Sequence, residues 1–214
     1  MQSKKLLTFL AAGVALMIVP FAAQYFGNAW VRIIDIALLY VLLALGLNIV
    51  VGYAGLLDLG YVAFYAVGAY MFALLASPHL IETFGWIKAM FPNGLHAPIW
   101  LVIPLGAAIA ATFGVLLGVP VLKLRGDYLA IVTLGFGEII RVFLNNLDAP
   151  VNITNGPKGI TAIDSITFFG VDLGEPWHLG SVTVHSVSLY YYLFLALVIG
   201  SVVICYRLER SRIG

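Results

Sequence analysis

The sequence predicts an all-α polytopic membrane protein with about six transmembrane helices. Hydrophobic residues make up 62% of the 214 residues, charged residues only 10%, and the mean hydropathy is +1.04. A soluble domain carries about 25% charged residues. Six stretches are apolar and close to the length that a bilayer requires, which is about 20 residues for a helix. Composition and length together therefore place most of the chain in a helical bundle within a membrane.

The six predicted spans belong to a single domain, 1–214, and leave two longer polar stretches between them. The third span is short and the fifth contains charges. Short strands are predicted in the second polar stretch, over 165–171 and 182–187. The predicted spans are 6–26, 33–51, 59–76, 98–122, 128–147 and 187–206, and the two polar stretches are 77–97 and 148–186.

The positions of lysine and arginine predict the orientation of the bundle. Cations cluster before the first span, after the fourth and after the sixth, and cytoplasmic loops are enriched in them. Both ends are therefore predicted inside and both long polar stretches outside, where Lys88 and Lys158 are the cations. The inner clusters are Lys4 and Lys5, Lys123 and Arg125, and Arg207, Arg210 and Arg212.

The first span also resembles a cleavable signal peptide. Lys4 and Lys5 precede an apolar run, and small residues follow at Ala22 and Ala23,. The apolar run continues to Phe26, which is longer than a usual signal core and favours a retained helix. Cleavage would leave the orientation of the other five spans unchanged.

The fifth span carries ionisable residues near the middle of the bilayer. Glu138 lies about 16 Å along a helix that begins at Asp127. Glu138, Arg141 and Asn145 follow the spacing i, i+3, i+7 and share one helix face,. One interpretation is an internal ion pair that holds this helix to a neighbour. The other is a polar wall of a translocation path, since intramembrane charges face a bundle interior or an aqueous path.

Small residues recur every four positions in the fourth span. Gly106, Ala110, Gly114 and Gly118 lie on one face, which permits close approach of another helix,. The interpretation is helix packing within a tight bundle.

The connection between the second and third spans, GYAGLLDLG, is rich in glycine. It contains Gly52, Gly55, Asp58 and Gly60. A tight turn in which Asp58 caps the next helix is the favoured interpretation. The alternative is a broken-helix element, which is tolerated at membrane depth where it is buried or lines a cavity.

Near the outer edge of the second span, Arg32 and Asp35 predict a surface ion pair at i, i+3.

Several classes of function are excluded by motifs that the sequence lacks. It has no phosphate-binding loop of the G-x-x-x-x-G-K-[ST] type, so it does not hydrolyse ATP by that route,. Its one cysteine, Cys205, rules out an internal disulfide, and its four histidines lack metal-ligand spacing,. The sequence predicts no catalytic site, no metal and no cofactor, and therefore a protein that is not an enzyme.

Three segments resemble the M-type permease subunit of branched-chain amino acid ABC transporters. These are Leu38–Tyr70, Leu124–Asn146 and Thr154–Ile160, the last resembling the glycine-rich outer loop of that family. The resemblance implies a subunit of a bacterial inner-membrane importer that forms part of the translocation path. It also implies the partners: a related second permease subunit, two cytoplasmic ATPases and a periplasmic binding protein for leucine, isoleucine or valine.

The resemblance leaves alternatives open. Family members continue beyond Arg207–Gly214 into a cytoplasmic coupling loop and further spans, so we expect the N-terminal portion of such a subunit, as a fragment or a split chain. The nearest alternative substrate is urea or a short-chain amide. From another class come a non-permeating scaffold subunit and a non-functional fragment. A self-sufficient secondary transporter is disfavoured because the six spans show no inverted repeat.

Overall fold

The computed structural model describes residues 2–92, 95–121, 123–124, 126–168, 170–179 and 182–210. Six long helices occur in that part of the chain, close to the six predicted spans. They are α1 (Gln2–Tyr25), α2 (Asn28–Asn48), α3 (Val62–Leu75), α6 (Ile99–Val121), α7 (Asp127–Asn146) and α8 (Ser186–Glu209). The predicted helical fold class is thereby confirmed.

Three helical segments are long and apolar enough to cross a membrane, namely Asn28–Tyr53, Ile99–Leu116 and Ser186–Glu209. Two shorter apolar helices accompany them, Gly13–Tyr25 and Val62–Leu75. The number of six spans and the predicted orientation remain predictions.

The two polar stretches contain short elements. The first contains two short helices, α4 (His79–Thr83) and α5 (Gly85–Met90). The second contains four short strands, in keeping with the strands predicted there. These are β1 (Thr167–Phe168), β2 (Val171–Asp172), β3 (Trp177–Leu179) and β4 (Val182–Val184), of which β3 and β4 pair antiparallel.

The chain divides into two compact units. One unit comprises Met1–Ile49 with Asp172–Gly214, and the other comprises Val50–Val171.

In the first unit, α1, α2 and α8 pack around a core of Val31, Tyr191 and Leu195. The Tyr191 hydroxyl donates a hydrogen bond to the carbonyl oxygen of Leu16 at 2.8 Å. That carbonyl would normally accept from residue 20, but Pro20 has no N–H. The buried tyrosine therefore supplies the hydrogen bond that the proline removes from α1.

The expected surface ion pair between Arg32 and Asp35 is wrong. Asp35 is only 8% exposed, and its Oδ1 atom has no hydrogen-bond partner among the described residues. Arg32 is exposed. Helix rotation explains the difference, because Asp35 lies one turn beyond the buried Val31 and shares its face, whereas Arg32 does not,.

In the second unit, α3, α6 and α7 pack together, and the segment after α7 closes the end of that helix. The Thr154 hydroxyl donates to the carbonyl of Leu144 at 2.6 Å. The backbone N–H groups of Ile153 and Thr154 donate to the carbonyl of Leu147 at 2.8 and 3.2 Å. These bonds satisfy carbonyls that have no partner inside the helix.

Further hydrogen bonds join the two polar stretches within this unit. His96 Nδ1 lies 2.6 Å from Asp164 Oδ2, and the Asp164 N–H donates to the carbonyl of Ala76 at 2.7 Å. The Thr83 hydroxyl donates to the carbonyl of Asn152 at 3.0 Å. The loops beyond α3 and α7 are thus held as one layer over the ends of these helices.

Candidate functional site

The segment between α2 and α3 is a broken helix. A π-helical turn, Ile49–Tyr53, is followed by non-helical backbone that lasts until α3 begins at Val62. The interpretation of Asp58 as the cap of α3 is wrong, because the capping position is Tyr61 and no side chain bonds there. Asp58 Oδ1 instead accepts from the Gly60 N–H at 2.9 Å, which holds the turn before the helix.

The broken segment lies directly against α7. The Leu59 N–H donates to Thr133 Oγ1 at 3.0 Å. A Cβ on Gly60 would collide with the carbonyl oxygen of Thr133, and a Cβ on Gly137 would lie 3.3 Å from the Gly60 Cα. Only glycine fits at residue 60, and a Cβ at residue 137 would be tight, so the backbone of the segment packs directly against the backbone of α7.

A groove of about 330 Å³ runs between α3 and α7 and extends from this contact toward the C-terminal end of α7. Its lining contains all three residues predicted for a translocation path, Glu138, Arg141 and Asn145. The rest of the lining is mainly aliphatic and comes from both helices and the broken segment. These residues are Leu59, Gly60, Val62, Ala63, Ala66, Tyr70, Leu134, Gly137, Ile140 and Leu144.

Glu138 and Arg141 form a bidentate ion pair on the surface of α7. Arg141 Nε donates to Glu138 Oε2 at 2.9 Å, and Arg141 Nη2 donates to Oε1 at 2.6 Å. Their side chains are 55% and 68% exposed, respectively. Within the described chain the pair connects two residues of one helix and does not join α7 to a neighbour. The groove therefore offers a positive and a negative group side by side on a largely apolar surface.

A second cavity, of about 250 Å³, lies on the other side of the Gly60–Thr133 contact. Gly60 borders both cavities. The lining of the second is Asp58, Gly60, Phe64, Gly114, Gly118, Val121, Thr133 and Phe136. Both cavities thus border the broken segment and α7, on different faces of that helix.

Two of the four small residues of α6, Gly114 and Gly118, border this second cavity. A Cβ on Gly114 would lie 3.8 Å from the ring of Phe64, but Cβ atoms on Gly106 and Gly118 would meet nothing within 4 Å. Ala110 is half-buried. In the broken segment, Gly52 and Gly55 are exposed, and Gly55 has a φ of +66°.

Sequence reasoning did not select Thr133 and Gly137 as site residues. They are spaced i, i+4 on α7, so the signal that would have found them is a second small-residue face on the charged helix. In the part of the chain that the structure describes, no three histidine, cysteine or acidic residues are grouped to hold a metal ion.

Comparison with known proteins agrees with the resemblance. Residues 30–214 match the family described as "Branched-chain amino acid transport system / permease component". The high-affinity branched-chain amino acid transport system permease protein LivM of Escherichia coli K12 is 40% identical over 214 residues, covering 94% of this chain and 46% of that protein. LivM of Salmonella typhimurium LT2 is 41% identical over 196 residues, covering 86% of this chain and 42% of that protein. No solved structure matches.

The chain thus spans about half the length of the curated relatives that it matches. The match begins within α2 and takes in the broken segment, the groove and α8. The apolar helices and this family together fit the predicted multi-pass localisation in the bacterial inner membrane. The chain belongs to the family of permease components of branched-chain amino acid transport systems.

Proposed function

We propose that the chain forms part of the translocation path of an ABC importer for branched-chain amino acids. Its partners would be a related second permease subunit, two cytoplasmic ATPases that supply the energy, and a periplasmic binding protein that delivers the substrate. The curated relatives support the substrate class, since both are named as branched-chain amino acid permeases. The single observation that supports a role in the translocation path is the exposed Glu138–Arg141 ion pair in the groove on α7.

An exposed ion pair in a membrane helix points to a polar neighbour. Charges at that depth face water, a partner or a substrate, because exposure to hydrocarbon is costly. The groove has a few polar groups on an apolar lining, the usual composition of a small-molecule site. A branched-chain amino acid has the matching chemistry, with a charged head and an aliphatic side chain.

The path would operate by alternating access without covalent chemistry. ATP binding on the partner subunits would favour one of two bundle conformations. The substrate would bind in the conformation that has the higher affinity for it and dissociate in the one that has the lower affinity. The groove extends to Asn145, near the end of α7 that the layer formed by the two polar stretches covers. That layer would provide the face on which the binding protein docks.

Uptake by the complete complex tests this proposal. Glu138→Gln and Arg141→Met each remove one charge from the groove, and we expect leucine uptake to fall at least about tenfold with assembly unchanged, a loss typical of a desolvated charged contact. Asp127→Asn and Arg32→Met are controls, because both residues are exposed and lie outside the groove and outside the two polar stretches. Normal uptake in the two groove variants would instead support a scaffold subunit.

The substrate is tested on the binding protein of the same system. Tight binding of leucine supports an amino acid importer, whereas binding of urea alone would assign the chain to a urea or short-chain amide system.

A further inference from the structure

A third cavity, of about 160 Å³, lies among α3, α6 and α7 of the second unit. Its lining is almost entirely aliphatic and aromatic. It includes Val67, Met71, Ile109, Phe113, Phe143 and Ile153. The Thr154 hydroxyl does not alter this character, because it is already bonded to the carbonyl of Leu144. A space with such walls favours an apolar group over water.

This cavity adjoins the groove that contains the ion pair. Tyr70, Ile140 and Leu144 border both spaces. Tyr70 belongs to α3, and Ile140 and Leu144 belong to α7, so the groove and the apolar cavity meet where these two helices pack together. A molecule with a charged end and an aliphatic end can therefore reach both.

The size of the cavity suits a branched aliphatic side chain. An apolar protein cavity of about 150 Å³ accommodates benzene, which has six carbons. The leucine side chain has four carbons, and those of isoleucine and valine have four and three. Urea has no apolar part and would gain nothing from such a space.

The ion pair suits the head group of the same molecule. An amino acid carries an ammonium and a carboxylate on one carbon, and Glu138 and Arg141 present the opposite charges next to each other. A guanidinium binds a carboxylate in bidentate fashion. Because both side chains are more than half exposed, they can leave one another and turn to a substrate without uncovering a buried surface,.

We propose that the groove and the apolar cavity together bind one aliphatic amino acid, with the head group on Glu138 and Arg141 and the side chain past Tyr70, Ile140 and Leu144. This inference rests on the proposed function and adds to it that the permease itself selects the side chain.

Protection of an introduced cysteine tests the site in the assembled permease complex without its binding protein. Asn145→Cys, in a background where Cys205→Ser removes the native thiol, places a reactive group in the groove. We expect leucine to slow labelling by a thiol reagent about tenfold more than urea does. Isopentylamine, which lacks the carboxylate, and 4-methylpentanoate, which lacks the ammonium, should protect weakly, because each leaves one charge of the pair unmatched.

A variant of the cavity separates side-chain selection from head-group binding. Ile109→Phe fills the cavity, and we expect protection by leucine to be lost while protection by alanine remains. If that variant fails to assemble, Ile109→Ala enlarges the space and should shift the preference toward larger side chains. One methylene in an apolar site changes selection by about 10- to 200-fold.

Equal protection by leucine and urea would overturn the inference, as would unchanged leucine preference in the Ile109 variants. The proposed function has its own outcome. If the complete complex imports leucine but leucine gives no such protection, the proposed translocation path stands and the proposed binding site is rejected. If the complex does not import leucine at all, both proposals are rejected.

Discussion

Pro20 and Tyr191 form a matched pair of residues in the first unit. The proline leaves the Leu16 carbonyl without its helical partner, and the phenol bonds to it at 2.8 Å,. We predict that Tyr191→Phe lowers the free energy of unfolding by about 1–3 kcal/mol, because a buried acceptor is then unsatisfied. Thermal or denaturant unfolding of the purified complex measures the loss.

Two variants control for this explanation. Pro20→Ala restores the N–H within α1. In that background, Tyr191→Phe should therefore lower the free energy of unfolding by less than it does in the native chain. Tyr192→Phe removes a similar bond, from its hydroxyl to the Met17 carbonyl. That carbonyl also has a helical partner, so we expect a smaller effect. Equal losses of stability from Tyr191→Phe and Tyr192→Phe, whether or not Pro20 is present, would contradict the explanation that Tyr191 compensates for Pro20.

At the residue scale, local spacing predicted which side chains share the groove but not which side chains pair over long distances. The i, i+3, i+7 pattern placed Glu138, Arg141 and Asn145 on one face, and the structure lines one groove with them. The partner of the Leu16 carbonyl lies 175 residues away, which no local pattern contains. The burial of Asp35 could not be predicted from local spacing either, because it depends on the packing of α2 against α8.

The contact between the broken segment and α7 depends on two glycines. Gly60→Ala would place a methyl group against the Thr133 backbone, which cannot move without displacing α7. We predict a loss of about 1–3 kcal/mol in stability, typical of overpacking, together with reduced uptake. Gly135→Ala is the matched control, because it adds the same methyl group to α7 where nothing lies within 4 Å. Similar defects from both changes would show that the helix itself, and not the contact, is disturbed.

At the element scale, helix ends were predictable where the chain supplies its own signals. α7 was expected over 128–147 and occupies Asp127–Asn146, since Gly126 adopts a φ of +59° immediately before it. The third span was expected from residue 59, but α3 starts at Val62. The difference accompanies the contact with α7, where the Thr133 hydroxyl accepts a hydrogen bond from the Leu59 N–H and the backbone of residues 54–60 is not helical. The resemblance identified both segments without revealing that they touch.

In the second unit, the two cavities border different faces of α7 over an overlapping stretch of the helix, and the groove extends further toward its C-terminal end. The second cavity borders Thr133 and Phe136, the groove extends from Leu134 to Asn145, and the loop layer covers the end of the helix. If the predicted orientation is right, the end of the groove at Asn145 and the loop layer lie toward the periplasm.

Lysine positions allow a direct test of that orientation. Lys88, Lys158 and Lys123 are all exposed, the first two in the polar stretches and the third between α6 and α7. In a Cys205→Ser background, we predict that Lys88→Cys and Lys158→Cys react with a membrane-impermeant thiol reagent added to intact spheroplasts. Lys123→Cys should react only after the membrane is made permeable, because cytoplasmic loops retain the lysine and arginine excess.

Each variant is its own control through the permeabilised sample, which shows that the thiol is reactive. If Lys123→Cys is labelled in intact spheroplasts while Lys88→Cys and Lys158→Cys are not, the orientation of the bundle is the opposite of the predicted one. The end of the groove at Asn145 then lies toward the cytoplasm. Labelling of Lys88→Cys and Lys158→Cys on opposite sides would instead mean that α6 and α7 do not both cross. If Lys123→Cys then reacts on the same side as Lys158→Cys, α7 does not cross, the ion pair does not lie at membrane depth, and its exposure requires no translocation path.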